Sequence, residues 1–216
     1  MRAVRLTWTI GGLGLVLCGV IGMMQYALPY AGSVLAPTRE LVFAAAVVLF
    51  AVGVTKEASV VARRPLGVIA LVVLALWPLA MRLAEPLLPT MDAATFDAGL
   101  DAYRAAESAL TTVFYVDLLV SLSAALIAVV QIARARTVPG VWRRAPLWAL
   151  LVSVAAGVVV PLLLAAAAPT GDQNLAGVAT VLGALGPLAN TLGLGVVALV
   201  LASQVRDGVV EVYRSA

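Results

Sequence analysis

The chain has 216 residues, 63% of them hydrophobic and 12% charged, with a mean hydropathy of +1.07. Soluble domains carry about 25% charged and roughly 45–50% apolar residues, so this composition excludes a soluble fold, and its hydrophobicity excludes disorder. The net charge of +3 points, in so apolar a chain, to the positive-inside rule of membrane proteins and not to a nucleic-acid partner.

The expected fold is all-α: an integral membrane bundle of six transmembrane helices, forming one membrane domain over residues 1–216. A membrane helix needs about 20 predominantly apolar residues. The first such stretch covers residues 6–26, behind Arg2 and Arg5. The order of charge and apolar residues imitates a secretory leader, but the apolar run is long and Pro37 would follow the cleavage-like Val34-Leu35-Ala36, so the segment reads as an uncleaved span. Gly14, Cys18 and Gly22 recur every four residues along it, a small-residue seam for close helix packing within the chain.

The second span covers residues 37–55, its outer part requiring Arg39 to reach outward, and the third covers 65–81. Residues 83–107 form an outer loop. There Pro86 and Pro89 break the chain, and Phe96, Leu100 and Tyr103 then recur at helical spacing from Asp92 to Glu107. This predicts an amphipathic helix that lies on the outer surface or lengthens the fourth span. The last three spans cover residues 108–132, 147–168 and 175–203. Trp8, Tyr26, Tyr30, Trp77, Trp142 and Trp148 fall near span ends, as interfacial anchors do.

Basic residues alternate between connections. Arg2, Arg5, Lys56, Arg63, Arg64, Arg134, Arg136, Arg143, Arg144, Arg206 and Arg214 fall on one side, and only Arg39, Arg82 and Arg104 on the other. The excess predicts both termini in the cytoplasm, in the plasma membrane. Thirteen arginines to a single lysine suggest a bacterial, GC-rich source.

Asp117 is the ionisable residue expected deepest in a span. It lies nine residues after Ser108, about 14 Å along a helix at 1.5 Å per residue. Insertion of an aspartate at that depth costs roughly 2.5–3.5 kcal/mol, so it requires a partner or a wet cavity. Ser121, Ala124, Ala128 and Gln131 share its helix face within about 40°. Asn190 is one expected partner; Arg82 and Arg39, reaching inward, are the alternative ion-pair partners. In the sixth span, Gly186 and Pro187 predict a helix break beside Asn190, of the kind that frees carbonyls at transporter sites. Ala75–Met81 and Ala184–Asn190 match at five of seven positions, a faint echo of an inverted repeat.

The chain has no histidine and one cysteine, Cys18, which removes histidine-ligated metals, histidine general bases and an internal disulfide. No cofactor, metal or enzymatic role is expected. Two functions remain. One is a small-solute or ion transport component using Asp117, Ser121 and Asn190 as its intramembrane polar site. The other is a non-catalytic accessory or assembly subunit. Beyond the lipid bilayer, the expected partners are further copies of the chain or other membrane subunits.

Overall fold

The computed structural model describes residues 2–97, 99–135, 137–138, 142–168 and 173–204. In chain order its helices are α1 (Arg2–Ala27), α2 (Gly32–Val52), α3 (Pro65–Ala84), a short α4 (Ala93–Asp97), α5 (Leu100–Ala135), α6 (Ala145–Ala167), α7 (Gln173–Leu188) and α8 (Leu194–Gln204). A π-helical turn, Ala189–Gly193, joins α7 to α8 into one continuous rod. The described residues contain no strand, and six of these rods are long and apolar enough to cross a membrane. Arg136, Arg206 and Arg214 of the basic set lie outside the described residues.

Two boundaries depart from the sequence expectation. Helix α2 starts at Gly32, after a 3₁₀ turn at Pro29–Ala31, so Arg39 and Glu40 lie two turns inside it rather than at its mouth. Pro37 is carried within its second turn, where the chain loses one ladder bond. Helix α5 runs for 36 residues, about 54 Å, against an apolar layer of about 30 Å. The expected amphipathic helix of the outer loop therefore lengthens the fourth span. Only α4 stays separate, cut off at Gly99, whose φ of 109° suits glycine alone. Asp92 caps α4: the Thr95 N–H donates to its carboxylate at 2.9 Å, and the Thr90 and Thr95 hydroxyls donate to it at 3.0 Å. These bonds, the Thr95 N–H first among them, hold that carboxyl below the usual carboxylate range.

Helix α1 is the central member, with α2 and α8 on its flanks. Small residues set both contacts. A Cβ on Gly14 would stand 3.0 Å from the Ala46 Cβ, and one on Gly22 would stand 3.7 Å from the Arg39 Cδ, so α1 and α2 run antiparallel. The Cys18 thiol donates to the Arg39 carbonyl at 3.6 Å on the same seam. The expected Gly14–Cys18–Gly22 seam thus packs within the chain. Against α8 the backbones nearly touch: a Cβ on Gly195 would meet the Gly12 carbonyl oxygen and the Val16 nitrogen, each at 2.9 Å. Beyond α2 come α3 and then α5, and α7 packs on α6. The predicted small stripe of α5 is its packing face, since Ala124, Ala128 and Gln131 are buried, and Gly67 of α3 abuts Gln131.

The end of the bundle that carries the start of α1, here the basal end, is closed by residues 53–64. This connection is folded inward, with Ala58, Ser59, Val60 and Val61 buried. Gly53, at φ 61°, turns the chain where a Cβ would lie 2.5 Å from the Ser59 nitrogen. Arg63 then caps α2 with its side chain, Nε donating to the Val52 carbonyl at 2.8 Å and an NH₂ group to Gly53 at 3.0 Å. The Ser59 hydroxyl donates to the Ala51 carbonyl at 2.6 Å, and the Trp8 indole N–H to the Ala58 carbonyl at 3.2 Å.

The α1–α8 crossing leaves no room for side chains. Gly195→Leu is expected to lower stability in detergent by about 1–3 kcal/mol through overpacking against backbone atoms. Gly157→Ala, where nothing lies within 4 Å, is the matched control and should not lower it. Thermal or denaturant unfolding of the two variants checks the difference.

Candidate functional site: two cavities meeting at Asn190

Two cavities occupy successive halves of the bundle. The basal one, about 220 Å³, is lined by Trp8, Phe50, Leu71, Ala128, Ile132 and Leu201 among other apolar side chains. The distal one, about 510 Å³, lies between α1, α2, α3 and the sixth rod, and its wall includes Cys18, Arg39, Glu40, Thr180 and Thr191. Phe43 and Asn190 line both. An aromatic ring and one amide therefore stand where the cavities meet.

Asn190 owes its position to the helix break. Pro187 supplies no N–H, so the ladder loses a bond, and the chain widens into the π turn, where the Leu194 N–H donates back to the Ala189 carbonyl. The Thr191 hydroxyl covers the Pro187 carbonyl at 2.6 Å. The Asn190 amide donates to the Ser153 hydroxyl of α6 at 2.6 Å, and that hydroxyl has the Ala149 and Gly186 carbonyls as acceptors at 3.0 and 3.2 Å. Gly186 makes the approach of α6 possible, because a Cβ there would stand 3.1 Å from the Ser153 Cα. Gly186, Pro187 and Asn190, singled out in the sequence, thus form one unit. Ser153 completes it, and its place one seam away on another helix is not marked in the sequence.

Asp117 belongs elsewhere. Its carboxylate accepts a 2.7 Å hydrogen bond from the Trp77 indole N–H, tying α5 to α3, and it lines neither of these two cavities. The structure does not bring it to Asn190, Arg82 or Arg39. Ser121 follows on the same face of α5, half-buried. Arg82 pairs instead with Glu40, whose carboxylate accepts from Nε and from an NH₂ group, both at 2.6 Å. Glu40 was the missed acid: its signal was a carboxylate beside Arg39 within reach of the second span. Arg39 points over Gly22 into the distal cavity. Among the described residues, no group of three histidines, cysteines or acids gathers to hold a metal ion.

The arrangement can accommodate a small solute against apolar walls, with a few polar groups to orient it, at a level where the helix ladder is already interrupted. Fold and site together define a polytopic α-helical bundle with an interrupted helix between two cavities. Comparison with known protein families, curated proteins and solved structures returns no match.

The Trp77–Asp117 bond gives a direct test of the α3–α5 seam. Trp77→Phe should cost about 1–3 kcal/mol by leaving a carboxylate unsatisfied in apolar surroundings. Adding Asp117→Leu to that variant should recover most of the loss. A double-mutant cycle on unfolding in detergent measures the coupling.

Proposed function

We propose that this chain is a small-solute carrier of the plasma membrane, with both termini cytoplasmic, the basal cavity facing inward and the distal cavity facing outward. The observation that carries this reading is the meeting of the two cavities at Phe43 and Asn190, level with the Pro187 break and the π turn. The basic residues of the basal end, among them Arg2, Arg5, Lys56, Arg63 and Arg64, support the orientation. In this reading Asn190 is the intramembrane polar contact for the solute. Asp117, with Ser121 beside it, serves as a buried polar anchor between α3 and α5.

A second reading, an accessory subunit of a larger membrane complex, draws on the rim of the bundle. Only 11% of the α5 window and 6% of the α6 window is buried within the chain. Those faces are open to lipid, to a second copy or to another subunit.

Cysteine accessibility tests the carrier. In a Cys18→Ala chain, single cysteines replace Ala184 of the distal cavity and Ala145 of the basal cavity. In sealed vesicles of known orientation, a membrane-impermeant maleimide should label position 184 from outside and position 145 from inside. Labelling of both from one side, or of neither, rejects the two-sided arrangement. Native mass spectrometry of the gently extracted protein separates the readings further: a second polypeptide at fixed stoichiometry supports the accessory subunit.

A further inference from the structure

We infer that the distal cavity is a binding site for a small organic anion, recognised through a carboxylate or phosphate group by Arg39. The site goes beyond the carrier reading and does not depend on it.

The argument begins with charge. One base, Arg39, and one acid, Glu40, line the cavity, and a second base, Arg82, reaches the acid from outside the lining. Glu40 is the acid, and both of its oxygens are taken by Arg82 at 2.6 Å. Arg39, its neighbour in sequence, points the other way around α2 and lies over Gly22, with its NH₁ nitrogen 3.8 Å from where a Cβ of Gly22 would be. Among the described residues, no oxygen accepts a hydrogen bond from the Arg39 guanidinium, and no carboxylate forms an ion pair with it. It is half-buried, two turns inside a membrane-spanning helix. A guanidinium cannot shed its proton and carries five donors in a planar fork that suits carboxylate and phosphate. A half-buried guanidinium without an acceptor gains from a charge-assisted bond, and an anion in the cavity would supply one.

The cavity itself completes the case. Its volume of about 510 Å³ falls in the range of small-molecule sites. The lining holds one base, Arg39, and one acid, Glu40; Arg82, outside the lining, answers Glu40 and leaves Arg39 as the uncompensated charge. The α7 side of the wall is mostly apolar, with Val181, Ala184 and Leu188, interrupted by Thr180, and the wall ends at Asn190 and Thr191. This pattern fits a monovalent anionic head with a short apolar body. The same head chemistry could come from a lipid phosphate entering between α1 and α7, so the test must tell the two sources apart.

The full chain in phosphatidylcholine nanodiscs is titrated with sodium hexanoate, sodium phosphate and hexylammonium chloride at constant ionic strength, read by thermal unfolding. Stabilisation by hexanoate or phosphate and none by hexylammonium is the expected result. Arg39→Gln should weaken the anion by about tenfold or more, and Arg39→Lys by less, since a point charge keeps the attraction and loses the fork. Stabilisation on replacing phosphatidylcholine by phosphatidylglycerol, lost in Arg39→Gln and without any response to the free anions, assigns the anion to lipid. The inference is overturned if no anion stabilises the wild-type chain in either bilayer, or if Arg39→Gln responds as wild type does. Should Arg39→Gln not fold, the contrast between hexanoate and hexylammonium on the wild-type chain, with Arg39→Lys, decides. Phosphate that binds yet is not taken up by proteoliposomes leaves the site standing as a binding site apart from transport.

Discussion

Every backbone N–H and C=O inside an apolar layer must find a partner, and this structure is organised around the places where the helical ladder cannot supply one. Long helices satisfy the constraint alone. At two of the breaks, side chains take over. At the end of α2, Arg63 and Ser59 cover the carbonyls of Ala51, Val52 and Gly53. At the Pro187 break, the Thr191 hydroxyl covers one carbonyl and the Ser153 hydroxyl reaches toward Gly186. Polar side chains thus gather at these two irregular places, and the distal and basal cavities reach them at Thr191 and Asn190 and at Val60. Structure and candidate site share one cause.

Charges inside the bundle follow the same logic with a higher stake. Glu40 and Arg82 form a two-point pair between α2 and α3, and Asp117 is answered by the Trp77 indole between α3 and α5. Helix α3 is thus held to both neighbours by a polar bond in its distal half, and by small residues, Gly67 and Ala70, near its basal end. Such bonds do little to drive association in water, but in lipid they fix register, because a slipped helix would leave a charge exposed to hydrocarbon.

Much of this was legible in the sequence, and the physical reason is periodicity and hydropathy. Six apolar runs gave six spans, and the Asp117–Gln131 stripe on α5 marked the face that packs. The Gly14–Cys18–Gly22 spacing marked the α1–α2 seam. Partner identity was not legible. Trp77 has the position of an interfacial anchor, and nothing local in the sequence says that its N–H turns inward to a carboxylate forty residues on. Ser153 is one serine in an apolar run until α7 comes within reach of it. The inward fold of residues 53–64 was hidden for another reason. Its basic residues read as a topology signal, while its ordering rests on Gly53 and on positive φ at Ala62 and Arg63, a backbone preference that charge counting does not register.

The bundle is also unevenly knit, and the unevenness bears on how a carrier of this shape would work. Helix α8 is set against α1 by the Gly12–Gly195 contact, where backbone meets backbone and little sliding is possible. Helix α7, continuous with α8, packs chiefly on α6 and touches α1 sparsely. The π turn lies between a fixed segment and a more loosely attached hairpin. Its wider hydrogen-bond spacing and the donor missing at Pro187 lower the cost of bending there relative to an intact helix. A tilt of the α6–α7 hairpin about residues 189–193 would carry the Ser153–Asn190 contact with it and alter the wall of the distal cavity. The basal cavity would change with it, because Ala145, Pro146 and Leu150 at the start of α6 line that cavity beside α8 and Val60 of the 53–64 connection. The hairpin therefore couples the two cavities: one tilt alters the α6 wall of the basal cavity and the α7 wall of the distal one.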